Sequence, residues 1–323
     1  MTPRQAGLLG GLALVWGSSY LLIKYALESF SPGEIVFLRC AVAAVTLALV
    51  IRLQDGAARA ALSRTWELRR RVILLGLVQI GCPFLLISFG ELEISSGLTG
   101  VLLAPTPLFV ALLALVLDRS ERVSRAQAVG LVAGIGGVAL VVGVEAISTL
   151  GEFLGAMAVI GASFGYALGS FIVKRWFADI PSEATSLGAV ATAAVITLPI
   201  AAATMTGEVP GGRAIAAIVV LGVVGTALAF VIMYRLIAEI GAGRANLVSY
   251  LIPPVSLAYG VLLLGESFTV AAFAGLALIL AGVAVASRPR PAEIEVADIP
   301  VIPPGAEAGV AVSRRGSAGP PPS

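Results

Sequence analysis

The amino-acid sequence predicts an all-α integral membrane protein with ten transmembrane helices, arranged as two inverted five-helix repeats. Of its 323 residues, 58% are hydrophobic and 12% are charged, and the mean hydropathy is +1.00. Soluble proteins carry about 25% charged residues, whereas the polar residues here lie in short patches between apolar runs of membrane-spanning length. The chain also resembles itself at a fixed offset, and this offset predicts the two repeats.

Ten apolar segments follow one another along the chain, and most of the connections between them are short. The segments are 7–27, 34–52, 72–90, 96–117, 126–144, 153–173, 184–206, 214–238, 244–264 and 270–287. The longer connection from Leu53 to Arg71 is rich in arginine, and we interpret it as an amphipathic linker on the membrane surface. After Arg288 the chain becomes rich in Pro and Gly, which predicts a disordered cytoplasmic tail over residues 288–323.

The basic residues predict how the helices are oriented. If successive helices alternate in direction, the loops on the side of the amino terminus receive nearly all the arginines, including Arg59, Arg64 and the run from Arg69 to Arg71. Short loops rich in basic residues stay in the cytoplasm. We therefore expect a multi-pass protein of a bacterial inner membrane with both termini cytoplasmic.

The second half of the chain aligns with the first at a shift of about 146 to 149 positions. Glu93 then falls on Glu239, and Pro107 falls on Pro253. The predicted repeats are residues 6–144 and 152–287, each with five helices. Because five is odd, the second copy enters the membrane from the opposite face, as in transporters built from inverted repeats.

A proline motif interrupts the apolar segment 96–117 close to its middle. Pro105 lies ~14 Å from the start of this segment by the helical rise, which is about half of the hydrocarbon core. Proline removes a backbone donor, so the carbonyls near Leu102 and Leu103 lose their helical partners. Pro253 and Pro254 repeat the motif in the second half. Two interrupted helices at corresponding positions predict the binding site of a transporter.

Several motifs resemble the EamA-type family of drug/metabolite transporters, and they cover about residues 6 to 287. They are Trp16-Gly17-Ser18-Ser19 with Lys24, Pro32 with Arg39, Pro107 with Glu121, Gly130 and Gly137, and Pro254 with Leu264-Gly265-Glu266, Gly275 and Gly282. The resemblance implies ten helices in two inverted repeats, and export of amino acids, other metabolites or drugs. The first repeat departs from the family pattern, since Asp118-Arg119-Ser120-Glu121 replaces the usual Leu-Gly-Glu ending.

Trp16 is the first candidate for the wall of a substrate pathway. It lies ~14 Å deep by the helical rise, although membrane tryptophans favour the interfaces. A midplane indole beside Ser19 needs either a polar cavity or an interhelical partner. Tyr166 occupies the matching part of the second half and is a second wall candidate.

Lys24 and Arg39 are charged residues far from the basic loops. Lys24 lies near a helix end, where it could reach the membrane surface, pair with Glu28 or contact substrate. Arg39 lies ~10 Å below the entry of its helix at Pro32. Its guanidinium could bind a substrate carboxylate through two hydrogen bonds, or it could join helices through backbone carbonyls.

The remaining candidates for the substrate pathway are polar residues and helix-interrupting prolines within the apolar segments. They are Gln79, Pro105, Thr106, Pro107, Tyr234, Asn246, Tyr250 and Pro253. Each polar group could contact substrate or make an interhelical hydrogen bond, which contributes about 0.6 kcal/mol on average. Together they predict a polar interior.

The sequence gives no support for an enzyme. It contains no histidine and no catalytic triad, metal-ligand cluster or nucleotide-binding glycine loop, so we expect no catalytic residue, metal or cofactor. The acidic residues lie near predicted helix ends, which leaves uniport and proton coupling both open. The expected partners are a small-molecule substrate and the lipid bilayer, not nucleic acid, with a homodimer left open. The alternative function is a non-transporting membrane scaffold or signalling protein on the same fold.

Overall fold

The fold is given by a computed structural model, which describes residues 2–53, 56–117, 125–144, 149–267 and 270–286. Within these ranges all the regular structure is helical. The α-helices are α1 Pro3–Ala26, α2 Pro32–Leu53, α3 Ala57–Glu67, α4 Arg69–Leu75, α5 Cys82–Glu93, α6 Ser96–Leu103, α7 Thr106–Leu117, α8 Arg125–Val144, α9 Leu150–Trp176, α10 Ser182–Ala203, α11 Gly212–Gly222, α12 Ala229–Ala245, α13 Val248–Leu264 and α14 Val270–Ala286. Two π-helical segments, Gly76–Gly81 and Val223–Leu228, join α4 to α5 and α11 to α12.

Seven helices in the described ranges are long and apolar enough to cross a membrane. They are Pro3–Ala26, Pro32–Leu53, Arg69–Glu93, Ser96–Ala114, Leu150–Trp176, Ser182–Ala203 and Gly212–Ala245, and Val248–Leu264 and Phe273–Gly282 are shorter apolar helices. The all-α membrane class is therefore confirmed, while the number of ten spans stays a prediction. Glu121 and the predicted tail 288–323 lie outside the described residues.

The long connection between Leu53 and Arg71 is largely helical. Helix α3, Ala57–Glu67, presents exposed Arg59 and Arg64 together with a Trp66 that is 73% exposed. The mixture of arginine and an exposed aromatic ring is typical of a helix that lies at a membrane surface. The interpretation of this connection as an amphipathic linker therefore fits its structure.

Corresponding helices of the two halves begin with the same capping motif. Thr2 at the start of α1 and Thr149 at the start of α9 each accept a hydrogen bond from the backbone three residues on. Gln5 and Glu152 return a side-chain acceptor to the capping threonine's own N–H. Such reciprocal caps satisfy donors that a helix start would leave free.

The two halves interleave, and glycines allow their closest approach. Helix α2 packs on α10, α5 on α9, α1 on α13, and α8 on α14. A Cβ atom added to Gly282 would lie 2.5 Å from the backbone nitrogen of Gly134, and one added to Gly137 would lie 2.7 Å from that of Ile279. Small residues at such crossings let helix backbones pack directly against each other. Glycines therefore set the spacing between α8 and α14.

The first proline motif divides its helix, and the second does not. Helix α6 ends at Leu103 and α7 begins at Thr106, so Pro105 lies in the break. Pro253 and Pro254 instead lie inside the continuous helix α13. The interruption in the second half comes earlier, between Ala245 and Val248, where α12 ends and α13 begins.

Hydroxyl groups donate hydrogen bonds to the backbone carbonyls that lie next to the break at Pro105. The carbonyl oxygen of Leu103 accepts a hydrogen bond from Thr106 Oγ1 at 2.8 Å, and that of Leu102 accepts one from Ser163 Oγ at 3.1 Å. The polar backbone at this depth is thus satisfied by protein groups, as the hydrocarbon region requires. These two carbonyls, which the sequence predicted to lose their helical partners, therefore have donors within the protein.

Candidate functional site

A cavity lies between the two halves, with walls contributed by both. The space between its walls is about 650 Å³, including the part open to the outside. The lining residues are Trp16, Ser19, Tyr20, Ile23, Arg39, Gln79, Phe84, Ile87, Leu103, Thr106, Tyr166, Ser170, Phe230, Met233, Asn246, Val248, Ser249 and Ile252. An apolar wall with a few polar groups is the usual composition of a site for an amphipathic ligand.

The structure brings seven of the thirteen candidate residues together on this cavity. The seven are Trp16, Ser19, Arg39, Gln79, Thr106, Tyr166 and Asn246. The six candidates outside its lining are Lys24, Pro105, Pro107, Tyr234, Tyr250 and Pro253. Their role in a substrate pathway stays a prediction.

The aromatic side of the cavity is built around Trp16. Its indole Nε1 donates a hydrogen bond to the carbonyl oxygen of Gly225 at 3.2 Å. The indole ring meets Phe230 edge-on at 5.8 Å between centroids, and Phe230 meets Phe84 in the same way at 6.0 Å. Edge-to-face pairs at these distances are favourable beyond their burial alone. Trp16 is therefore both a wall of the cavity and an interhelical contact.

Arg39 places a buried guanidinium group on the cavity wall. The residue is 3% exposed, and its Nε donates to Thr226 Oγ1 at 3.2 Å. Its guanidinium carbon lies 3.8 Å from the centroid of the Phe84 ring. No carboxylate of the described residues lies within ion-pair distance. An arginine has five N–H donors in a planar fork, so most of this group's donor capacity is available to a ligand.

The two π-helical segments supply polar groups at equivalent positions. Gln79 belongs to the first segment and Thr226 to the second, separated by the same offset as the two repeats. The Thr226 hydroxyl Oγ1 donates to the carbonyl oxygen of Leu221, five residues earlier, at 2.7 Å. The buried Oε1 of Gln79 has no hydrogen-bond partner among the described residues. π-Helical turns inside α-helices frequently mark functional sites.

Asn246 lies where α12 meets α13. Its Nδ2 donates to Ser170 Oγ on α9 at 3.0 Å and to the carbonyl oxygen of Ala242 at 2.8 Å. Ser170 Oγ in turn donates to the carbonyl oxygen of Tyr166 at 2.9 Å. This network joins the two helices and lines the cavity, so both functions considered for Asn246 are compatible with its position.

Lys24 connects helices at one end of the bundle. Its Nζ donates to the carbonyl oxygen of Glu91 and, at 2.8 Å, to that of Ile94. Arg213, rather than Lys24, pairs with Glu28. We call the group Lys24, Glu91, Ile94, Ser96 and Glu266 the Lys24 end.

Tyr234 and Pro253, two further candidates outside the cavity lining, are buried in contacts between or within helices. Tyr234 is 2% exposed and packs edge-on against Phe230 at 5.5 Å between centroids, and its hydroxyl has no hydrogen-bond partner among the described residues. Pro253 is buried in α13, and its carbonyl oxygen accepts a hydrogen bond from Ser256 Oγ at 3.0 Å.

Glu266 links the two halves at the Lys24 end. Its carboxylate oxygens accept hydrogen bonds from the backbone N–H groups of Ser96 at 2.8 Å and Gly97 at 3.0 Å. Gly265 has the left-handed conformation, with φ of 65°, that glycine adopts readily at a helix end. This turn directs Glu266 onto the start of α6, where the helix dipole favours negative charge.

Sequence reasoning missed several residues of the site. Tyr20, Phe84 and Phe230 are ordinary apolar-segment residues by pattern, and only packing places them on the cavity. The π-helical segments were also missed, because one extra residue in a turn leaves no simple signal in an apolar sequence. Glu91 was placed near a helix end, but the structure buries it to 1% exposure.

A helical membrane bundle with a partly polar cavity between two repeats is the usual architecture of a transporter of small solutes. The chain belongs to the EamA-like transporter family, whose model matches residues 6–143 and 153–288. The family membership does not favour a non-transporting scaffold.

Known proteins of similar sequence cover most of this chain. An uncharacterized transporter of Archaeoglobus fulgidus is 27% identical over 85% of this chain and 95% of its own length. A probable terminal-alkyne amino-acid exporter of Streptantibioticus cattleyicolor is 28% identical over 85% and 90%. A probable amino-acid metabolite efflux pump of Salmonella typhimurium is 27% identical over 86% and 93%. A crystal structure with 19% identity matches 88% of this chain and 97% of its own, with a TM-score of 0.66, which shows the shared fold.

Proposed function

We propose that the protein exports an amino acid or a related amphipathic solute across the bacterial inner membrane. Two relatives, an amino-acid exporter and an amino-acid metabolite efflux pump by name, support this class of substrate. Ten spans in two inverted repeats, with both termini cytoplasmic, would give the two halves the symmetry that alternating access uses. The observation that carries the proposal is the buried guanidinium of Arg39 on the cavity wall.

Arg39 would bind the carboxylate of the solute. An unpaired cation is costly to bury in a membrane protein, and its usual companions are an acidic partner or an anionic ligand. Arg39 has no ion-pair partner in the described part of the chain, and its guanidinium carbon lies over the Phe84 ring. A carboxylate matches this planar donor group with two parallel hydrogen bonds.

Other residues of the cavity suit the remaining parts of an amino acid. The unpartnered Oε1 of Gln79 is an acceptor for the ammonium group. Trp16, Phe84 and Phe230 form an apolar surface for the side chain. The cavity thus offers a cationic, an acceptor and an apolar region. These regions complement the carboxylate, the ammonium and the side chain of a small zwitterion with an apolar substituent.

Alternating access would require the contacts at the Lys24 end to break. Lys24 of the first half fastens α1 to the end of α5, and Glu266 of the second half fastens α13 to α6 of the first. Both contacts are hydrogen bonds between a side chain and backbone groups, and water can replace the partner of each when the two helices separate. This conformation would be the one closed at the Lys24 end.

Flux in proteoliposomes tests the substrate class. Purified protein is reconstituted, and uptake of a panel of radiolabelled apolar amino acids is compared with that of their methyl esters and their decarboxylated amines. We expect saturable uptake of at least one amino acid, and neither the ester nor the amine of that amino acid should compete with it. Equal competition by acid, ester and amine would contradict carboxylate recognition, and no uptake of any amino acid would contradict the substrate class.

A further inference from the structure

Glu91 is a buried carboxyl group that the proposed substrate site does not use. It is 1% exposed, near the end of α5. Neither of its carboxyl oxygens has a hydrogen-bond partner among the described residues. An ionised carboxylate accepts up to four hydrogen bonds and is otherwise one of the most expensive groups to bury. Its surroundings therefore have to explain how it is tolerated.

The neighbouring charged groups on the first two helices make no hydrogen bond to the Glu91 carboxyl oxygens. Lys24 of α1 directs its ammonium to the backbone oxygens of Glu91 and Ile94 rather than to the carboxyl group of Glu91. Tyr20, one turn earlier on α1, also faces Glu91. Arg39 of α2 lies on the cavity wall, bonded to Thr226.

The other elements around α5 offer no partner either. Glu266, beyond α13, is itself acidic, and its carboxylate is held by backbone amides at the start of α6. Helix α9 packs along α5 and presents Gly155 and Val159 at Gly90. Glu93, on α5 itself, is exposed and lies beside Gly151. None of these groups is a hydrogen-bond donor to the Glu91 carboxyl oxygens.

We propose that Glu91 holds a proton in this conformation and releases it when the Lys24 end opens, so that transport is coupled to proton movement through this carboxyl group. The neutral acid avoids the cost of a buried charge without donors, which amounts to several kcal/mol for a carboxylate. The inference uses the transport function of the family and is independent of the amino-acid substrate.

Opening of the Lys24 end would give the ionised Glu91 carboxylate the hydrogen-bond donors that it lacks in the closed conformation. When α1 moves away from the end of α5, the ammonium of Lys24 leaves the two backbone oxygens, and water reaches the Glu91 carboxyl group and can hydrogen-bond its ionised form. The O–H bond of the carboxyl group breaks, and its proton passes to water at the Lys24 end. Closing reverses these steps, and one proton is taken up for each closure.

Infrared spectroscopy of the purified protein tests the protonation directly, without any substrate. The C=O stretch of a protonated carboxylic acid is resolved from the bands of ionised carboxylates. We expect this band in the wild-type protein at neutral pH, its loss in Glu91→Gln, and its retention in Glu93→Gln, the exposed control two residues away. No band in the wild type, or an undiminished band in Glu91→Gln, would overturn the proposal. Absence of the band from the wild type overturns the proposal even if the variant does not fold.

Proton movement tests the coupling. Proteoliposomes with a trapped pH-sensitive dye receive the amino acid selected by the uptake panel, and protons moved are compared with solute moved. We expect a constant ratio for the wild type and for Glu93→Gln, and a ratio of zero for Glu91→Gln. An unchanged ratio in Glu91→Gln would refute the coupling. An infrared band together with no amino-acid uptake would refute the substrate class alone.

Discussion

Replacing Arg39 by glutamine should weaken binding of a carboxylate-bearing solute without unfolding the protein. The guanidinium is the cationic group on the cavity wall that lacks an acidic partner in the described ranges. Hydrogen bonds to charged groups contribute about 1.5–3 kcal/mol, and each 1.4 kcal/mol changes an affinity tenfold. We therefore expect the Kd for a transported amino acid to rise about tenfold to a hundredfold.

The structure explains why the fold should survive this change. Thr226 keeps its hydrogen bond to the carbonyl oxygen of Leu221 when its acceptor contact with Arg39 is lost, so no buried donor is left unpaired. The contact of Arg39 with Phe84 contributes about 0.5–2 kcal/mol, and removal of a buried charge offsets this loss. Thermal unfolding in detergent should therefore change little.

Isothermal titration of detergent-purified protein measures the affinity, with Arg39→Lys as the matched comparison. Lysine keeps the charge but cannot form the two parallel hydrogen bonds, so its Kd should lie between those of the wild type and Arg39→Gln. Arg213→Gln, at an exposed ion pair with Glu28, should bind as the wild type does. Equal Kd values for the wild type and a folded Arg39→Gln would refute carboxylate binding by Arg39.

Three further substitutions test other parts of the structure. Gly282→Ala places a methyl group 2.5 Å from the backbone of α8 and should destabilise the protein by about 1–3 kcal/mol. Gly136→Ala, whose added methyl meets nothing closer than 4.0 Å, should leave thermal unfolding unchanged. Equal changes in thermal unfolding for the two variants would contradict the close packing of α8 on α14. Glu266→Gln should lower the free energy of unfolding by about 1.5–3 kcal/mol, because its hydrogen bonds at a helix start become weaker. Glu28→Gln, at the exposed ion pair, should lower it by less than ~1 kcal/mol. Chemical denaturation of both variants measures the two changes, and equal values would contradict the role of Glu266. Trp16→Phe removes one interhelical hydrogen bond and should cost only about 0.6 kcal/mol while it lowers uptake, and unchanged uptake would remove Trp16 from the pathway.

The positions of the helices could be predicted because membrane thickness imposes a length on apolar segments. The predicted segment 7–27 corresponds to α1, Pro3–Ala26, and the predicted segment 184–206 corresponds to α10, Ser182–Ala203. Depth in the membrane could also be counted from a helix start by the constant rise per residue. This count located Trp16 near the level of the cavity.

The direction in which a side chain points was harder to predict, because it depends on the packing partners of each helix. Tyr234 follows a π-helical segment, and the extra residue of a π turn rotates every later side chain relative to a regular helix. Glu91 lies near the end of its helix, but the loop containing Glu266 packs over the neighbouring start of α6. A position near a helix end was therefore not equivalent to exposure to solvent.

The same surplus residue interrupts the regular winding of both halves, in Gly76–Gly81 and in Val223–Leu228. A π turn holds one amino acid more than an α turn. Because the surplus residue occurs at matching places, the side chains that follow it are shifted by the same amount in both halves, and the internal symmetry of the bundle survives the irregularity.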